Sequence, residues 1–275
     1  MTDFEGTIRK MRVEQAEPIR YRLPIGDTLV ELTPLLGRPL TLVYSGNIFC
    51  VECGRKTRKS FSQGHCFPCL RRLASCDTCI VRPELCHYAL GPCREPDWAE
   101  MHCMQPHVVY LANSSGLKVG ITRRSQIPTR WIDQGAVQAL PLYEVSNRLH
   151  SGLIEVALKS AVNDKTDWRR MLRGGQPELD LSVERDRVLA AAGDQLTTCI
   201  AGLENDSVKV LGDAQEMRFC YPVLRDPEKI KALNFDKQGR IEGVLEGIRG
   251  QYLILDCGVL NIRKFSGYEL SVSLP

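Results

Sequence analysis

Apolar and polar residues alternate over short stretches at both ends of the chain, with the period of two that is typical of half-buried strands. Gly and Pro separate these stretches, as expected of turns. In the N-terminal part the stretches lie at residues 7–12, 19–23, 29–32 and 40–44. In the C-terminal part they lie at residues 240–248, 251–255, 259–264 and 268–272. Both ends are therefore predicted to be β-rich, and the C-terminal meander is typical of a small antiparallel barrel.

Strand and helix patterns alternate in the middle of the chain. Residues 107–112 and 117–122 indicate two strands, joined by a turn in which Gly116 can adopt a left-handed conformation. A third strand is predicted at residues 139–145, and a longer helix follows it. After a Gly-Gly-Gln-Pro break, a further helix is predicted over residues 183–203.

The whole pattern predicts an α+β protein in four parts. At 275 residues the chain can bury a sizeable core. It begins without an apolar leader and has no apolar run of membrane-spanning length, so we expect a cytoplasmic protein without a membrane partner. The pattern sets no oligomeric state. The parts are a β-rich part at 1–49, a cysteine-rich segment at 50–106, a small α/β module at 107–175, and a helix with barrel-like strands at 176–275.

Nine of the twelve cysteines fall between Cys50 and Cys103. Clustering of this kind in a cytoplasmic chain favours metal-bound thiolates over disulfides. Two Cys-x-x-Cys turns come first, twelve residues apart, and a pair of such turns can complete a tetrahedron around zinc. A zinc ribbon is therefore expected, with the ligands Cys50, Cys53, Cys66 and Cys69.

Five further thiols and two adjacent histidines follow Cys69, more than the four ligands that one tetrahedral ion needs, so a second metal site is expected in this part of the chain. Four of these thiols are favoured as its ligands, and Cys103 would replace any one of the four that lies elsewhere. A four-cysteine iron–sulfur cluster fits the spacing as well, but the neighbouring ribbon favours a second structural zinc. The favoured ligands are Cys76, Cys79, Cys86 and Cys93.

Basic residues concentrate in two places although the net charge is only +3. Residues 51–75 contain six Lys or Arg residues and one acid, and a second group lies in the α/β module. Such patches suit phosphate backbones, and a solvated basic face is the alternative. Arg249, Arg263 and Lys264 could add a basic face at the C-terminal end. The residues predicted to contact nucleic acid are Arg55, Lys56, Arg58, Lys59, Arg123 and Arg124.

The length of the turn in the module determines which residues share a face. A three-residue loop pairs Tyr110 with Gly120 and places Lys118 one diagonal step from the tyrosine, on the same side. Arg130 falls in a short helix, and Glu155 falls on the longer helix that Asn147 can cap.

This order, strand-Tyr, turn, strand-Gly, helix-Arg, strand, helix-Glu, resembles the GIY-YIG nuclease superfamily. Tyr110 ends a Val-Val-Tyr run where that family has Gly-Ile-Tyr, and Gly120 ends a Lys-Val-Gly run where it has Tyr-Ile-Gly. Trp168 resembles the tryptophan that ends this unit in a diverged branch. The likeness covers about sixty residues. The order of the four parts also resembles a bacterial protein family without an established activity.

The resemblance implies a catalytic role for each matching residue. The tyrosine takes part in activating water, the arginine stabilises charge on phosphate, and the glutamate holds one Mg²⁺ or Mn²⁺ ion. These roles fall to Tyr110, Arg130 and Glu155, while Lys118 stands where the family has its second tyrosine and departs from the pattern. Taken singly, each residue also has a structural interpretation, such as an i,i+4 pair between Glu155 and Lys159.

The expected function is therefore a zinc-containing protein that binds DNA or structured RNA, with cleavage of phosphodiester bonds as the implied activity. A non-catalytic nucleic-acid or ribonucleoprotein adaptor with a degenerate GIY-YIG fold is the first alternative, because binding needs only the basic surface. An iron–sulfur enzyme or sensor is the second.

Overall fold

The computed structural model describes residues 2–91, 93–162 and 167–274. These residues form a mixed α/β protein with three sheets. The strands are β1 (Thr2–Thr7), β2 (Arg12–Glu14), β3 (Arg20–Ile25), β4 (Thr28–Glu31), β5 (Pro39–Phe49), β6 (Lys56–Thr57), β7 (His107–Asn113), β8 (Leu117–Arg123), β9 (Gln138–Val145), β10 (Val208–Val210), β11 (Met217–Arg218), β12 (Arg240–Arg249), β13 (Tyr252–Leu255), β14 (Gly258–Asn261) and β15 (Tyr268–Leu274). The helices are α1 (Phe67–Arg72), α2 (Pro96–His102), α3 (Thr129–Asp133), α4 (Arg148–Leu158), α5 (Trp168–Arg173), α6 (Leu181–Ala191) and α7 (Gly193–Ala201).

The largest sheet takes strands from both ends of the chain. Its order is β1-β15-β5-β12-β13-β14, and β6 pairs with β5. Burial alternates along β15, where Tyr268, Leu270 and Val272 face the core. The small sheet β2-β3-β4 packs Tyr21 and Leu23 into the same core. The β-rich ends expected from the alternation therefore contribute to one shared core.

The second sheet forms the α/β module, with the order β10-β9-β7-β8 and β11 on β9. All seven residues of β7 are buried because this strand lies between β8 and β9. Tyr110 lies opposite Gly120, and Ala112 lies opposite Lys118. The pairing predicted from the turn length is confirmed.

The helices of the module begin and end at residue types that are typical of helix ends. Helix α3 follows Pro128, and Gly135 beyond its end adopts a φ of +69°. Asn147 caps α4, its side chain accepting a hydrogen bond from the His150 N–H over 3.0 Å. The single helix predicted over residues 183–203 is wrong: the chain turns at Ala192, before the weak helix former Gly193, and forms α6 and α7.

The cysteine-rich segment has little regular structure, since three short 3₁₀ turns connect α1 to α2. One of these turns, Pro83–Leu85, packs against α4 at Gly152. A Cβ atom on Gly152 would lie 2.5 Å from the main-chain nitrogen of Glu84, so only glycine permits this approach. No helix in the described ranges combines the length and apolar character needed to cross a bilayer.

Candidate metal centre and basic cavity

Two turns, one after β5 and one before α1, bring four cysteine sulfurs together. The sulfurs of Cys50, Cys53, Cys66 and Cys69 lie within 4.8 Å of one another. Cys53 Sγ and Cys66 Sγ are 3.8 Å apart, and zinc–sulfur bonds of about 2.3 Å in a tetrahedron require roughly the same separation. The main-chain N–H of Cys66 donates to Cys50 Sγ over 3.3 Å, which favours a thiolate.

The electrostatics of this cluster also suit a cation. Burial raises the pKa of Cys50, but main-chain N–H groups of Cys53, Cys66 and Glu52 outweigh burial and hold the pKa at about 6. Burial and the neighbouring thiols raise the pKa of Cys69 to about 12. Four thiolates therefore need a divalent cation to coexist, and the cluster can hold one zinc ion.

The other cysteines of the segment divide into two groups. Cys76 packs against the first cluster. Cys79, Cys86 and Cys93 line a separate small cavity, and Cys103 lies on its wall with them. Three of the four cysteines expected at a second site therefore line one cavity, together with Cys103, whereas Cys76 does not.

A cavity of about 550 Å³ lies over β8. Its walls come from the α/β module, from the cysteine-rich segment and from the 3₁₀ turn Arg263–Phe265 between β14 and β15, so it unites distant parts of the sequence. Cations outnumber acids on the wall, which favours an anionic ligand such as phosphate. The cations are Lys10, Lys118, Arg123, Arg130, Arg148 and Arg263, and the acids are Asp133 and Glu155.

Tyr110 lies one layer behind this wall. It is fully buried, and a Cβ atom on Gly120 would lie 2.8 Å from its hydroxyl oxygen. The phenol donates to Gln134 Oε1 over 3.1 Å, and Lys118 Nζ donates to the same oxygen over 2.7 Å. Burial raises the pKa of Tyr110 to about 12, so the phenol stays protonated near neutral pH. Tyr110 is therefore linked to the cavity wall by its hydrogen bond to Gln134, the residue that Lys118 also contacts.

The arginines on the wall are close enough to perturb one another. Burial lowers the pKa of Arg148 and of Arg263, and the charge of Arg130 lowers both further. Burial also lowers the pKa of Arg123. Arg130 therefore lies near both Arg148 and Arg263, and a bound anion would offset the charge of these partly buried cations.

The two carboxylates on the wall differ in their partners. Asp133 accepts hydrogen bonds from Lys10 Nζ and from Gln251 Nε2, each over 2.8 Å. Glu155 lies on the cavity side of α4, and Lys159 Nζ is 3.5 Å from its carboxylate. Arg130 and Glu155 therefore line the same cavity, and the charges of both perturb the pKa of Tyr110 behind its wall.

Two basic residues of the ribbon, Arg58 and Lys59, line a second cavity of about 670 Å³. Gln63 and Arg263 lie on the walls of both cavities. The two cavities therefore share part of their walls, and together they are called the basic groove. All four ribbon cations predicted to contact nucleic acid are exposed, namely Arg55, Lys56, Arg58 and Lys59.

Arg123 and Arg124 point to different surroundings although they are adjacent in sequence. Arg123 lies on the wall of the first cavity, whereas Arg124 is exposed and its Nη1 lies 3.1 Å from a carboxylate oxygen of Glu144.

Sequence reasoning missed several residues of the cavity. Arg148 had a usable signal, because it lies seven residues before Glu155 and therefore on the same face of α4. Gln134 and Lys10 had none, because their roles depend on hydrogen bonds made after folding.

Residues 37–270 match a protein family described as DUF2797, a protein of unknown function. This range covers well over half of the chain. The chain belongs to the DUF2797 family. The matched range includes both cysteine groups, the wall of the first cavity except Lys10, and the ribbon. Comparisons with curated proteins and with solved structures give no match.

Proposed function

We propose that this DUF2797 protein binds nucleic acid in the basic groove and hydrolyses a phosphodiester bond in the cavity over β8, with a divalent cation. The observation that carries the proposal is the concentration of cations on the cavity wall beside Glu155. Partly buried arginines that perturb one another provide a site for a phosphate group.

The order of elements supports a diverged GIY-YIG-like module. β7, β8, α3, β9 and α4 follow one another as in that nuclease unit. Arg130 and Glu155 line the cavity, and Tyr110 is buried behind its wall. This likeness rests on the topology and residues of this chain alone.

The Glu155 carboxylate is the kind of hard oxygen ligand that Mg²⁺ and Mn²⁺ prefer, and a bound phosphate offers more. A cation there would polarise a phosphoryl oxygen and lower the pKa of bound water. Arg130 neutralises charge that develops on the phosphate, while Tyr110 and Gln134 fix the position of Lys118. In the reaction the oxygen of water bonds to phosphorus and the bond to the sugar oxygen breaks. The attacking water loses one proton, and the departing sugar oxygen gains one.

The first test compares three variants that each remove one charge. Arg130→Gln and Glu155→Gln alter the cavity, and Lys209→Gln, on exposed β10, is the matched control outside it. With Mg²⁺ or Mn²⁺ and end-labelled single-stranded and duplex DNA and RNA, we expect wild type and Lys209→Gln to cleave. We expect at least a hundredfold loss of cleavage in the other two. Equal cleavage by wild type and Glu155→Gln would overturn the catalytic assignment.

The second candidate function is a non-catalytic adaptor that uses the same groove. Lys118 in place of the second tyrosine favours it, because an ammonium group cannot act as a phenol. The burial of Tyr110 behind Gly120 favours it as well. Salt-sensitive binding weakened by Arg130→Gln, together with no cleavage of any substrate, would establish this function instead.

A further inference from the structure

We infer that Cys79, Cys86, Cys93 and Cys103 form a second metal site that takes one zinc ion, and that this ion orders the wall of the cavity over β8. The inference is independent of what the cavity binds.

The first reason is that the segment from Ala74 to Cys103 lacks an apolar core of its own. Four of its large apolar side chains are exposed, while two of its cysteines are buried. Segments without enough apolar surface need another source of folding energy, and thiolate–zinc bonds are a common one. The exposed large apolar residues of this segment are Val81, Leu85, Leu90 and Met101.

The second reason is that the four thiols surround one small space. They line a cavity of about 10 Å³, together with Trp98 and His87. Each of Cys79 and Cys103 lies within electrostatic range of the other cysteines of the set. The sulfurs are spread more widely than those of the first cluster, which is the one group in the described residues with all sulfurs within 4.8 Å. A metal ion would draw them inward.

The third reason is the cation beside these thiols. Arg148 donates to the carbonyl oxygens of Cys79 and Ile80, and its main-chain N–H donates to Cys103 O over 2.8 Å. Within the described part of the chain it forms no ion pair with a carboxylate. Zinc with four thiolates carries a net charge of −2, so a bound ion would give Arg148 a counter-charge.

The space favours one ion over an iron–sulfur cluster. A cavity of about 10 Å³ corresponds to roughly one water-sized sphere. Four thiolates complete a closed tetrahedral site, so His87 is not needed as a ligand.

The site orders the cavity over β8 because the same residues form both walls. Cys103 and Ile80 line the large cavity as well as the small one, and Arg148 bonds to both of them from the large-cavity side.

The test is the zinc content of the full-length protein, purified without chelator and measured by elemental mass spectrometry. We expect two zinc ions per chain in the wild type and one in Cys103→Ser and in Cys79→Ser. The matched controls Cys76→Ser and His87→Gln should keep two. The zinc measurement does not involve nucleic acid, so its result does not depend on the proposed function.

Cobalt(II) titration keeps the inference testable if the cysteine variants fold poorly. The wild type should take up two equivalents with thiolate-to-cobalt absorption, and Cys53→Ser, which removes a ligand of the first cluster, should leave one. One equivalent in the wild type would overturn the inference. If the second zinc were lost in Cys76→Ser but kept in Cys103→Ser, the proposed ligand set would be wrong. If the protein contained iron with visible absorption, the proposed metal would be wrong.

Discussion

Gly120 determines where the phenol of Tyr110 can lie. A Cβ atom at position 120 would approach the hydroxyl oxygen to 2.8 Å and Cζ to 2.9 Å, closer than real contacts allow. In Gly120→Ala the ring must therefore shift within a fully buried site. We expect a loss of roughly 1–3 kcal/mol in the free energy of unfolding, measured by chemical denaturation.

Gly239→Ala is the control, since its nearest neighbour is a carbonyl oxygen 4.0 Å away. The hydrogen bond from Tyr110 to Gln134 should also break in Gly120→Ala. Because Lys118 donates to the same oxygen of Gln134, we also expect weaker binding in the groove. Unchanged stability in Gly120→Ala would show that the ring is not confined as described.

His107 gives the protein a pH-dependent stability. It is fully buried at the start of β7, where its Nδ1–H donates to Gln105 O over 2.7 Å. Its Nε2 is buried and has no hydrogen-bond partner among the described residues. Burial lowers the pKa of His107 to about 4, and the charges of Arg148 and Arg123 lower it as well. The imidazole is therefore neutral in the folded protein at pH 7, as expected of a structural residue in a strand.

Because the pKa is depressed on folding, the unfolded chain binds a proton first as the pH falls. The stability contributed by His107 is fully present above about pH 6.5 and decreases toward pH 4, by roughly 3 kcal/mol over the whole window. His107→Asn cannot titrate there, so its unfolding free energy should fall less steeply between these pH values. Parallel pH profiles for the two proteins would contradict the assignment.

At the scale of elements, Gly152 determines how the cysteine-rich segment docks on α4. A Cβ atom there would lie 2.5 Å from Glu84 N and 2.7 Å from the carbonyl carbon of Pro83, and main-chain atoms cannot move aside. In an isolated helix, Gly→Ala stabilises by up to about 1 kcal/mol. We expect Gly152→Ala to lower the free energy of unfolding instead, and to speed proteolysis between residues 74 and 103.

Gly193→Ala in α7 is the matched control, because nothing lies within 4 Å of its added Cβ. It should be neutral or stabilising and should leave proteolysis unchanged. If Gly152→Ala behaved in the same way, the segment would not depend on this contact for its position.

The elements that could be predicted from sequence are those fixed by local rules. Turn length decides which face each residue of a hairpin occupies, so the pairing of Tyr110 with Gly120 followed from counting residues. Side-chain capping similarly identified Asn147 as the start of α4. The break at Ala192 also had a local signal, the weak helix former Gly193, which the prediction of one helix did not take into account.

At the scale of the whole molecule, the cavity could not be predicted because its walls meet only after folding. Arg263 comes from the 3₁₀ turn between β14 and β15, and Cys103 precedes the module in sequence but lies beside Cys79 in space. Sequence spacing alone favoured Cys76 as the partner of Cys79. The short 3₁₀ turns after α1 separate the two, and Cys76 stays with the first cluster.

The joined cavities predict how binding responds to salt. If one strand of nucleic acid occupies both, cations of the ribbon and of the cavity over β8 bind the same backbone. For each phosphate that a variant no longer neutralises, the slope of log K against log salt should decrease in magnitude by about 0.7 to 0.9. We expect such a decrease in Arg130→Gln and in Lys59→Gln, measured by fluorescence anisotropy without added Mg²⁺ or Mn²⁺ to prevent cleavage. Lys209→Gln, on exposed β10, is the matched control. A smaller slope in Arg130→Gln with no change in Lys59→Gln would mean that the nucleic acid stops at the first cavity and leaves the ribbon uncovered.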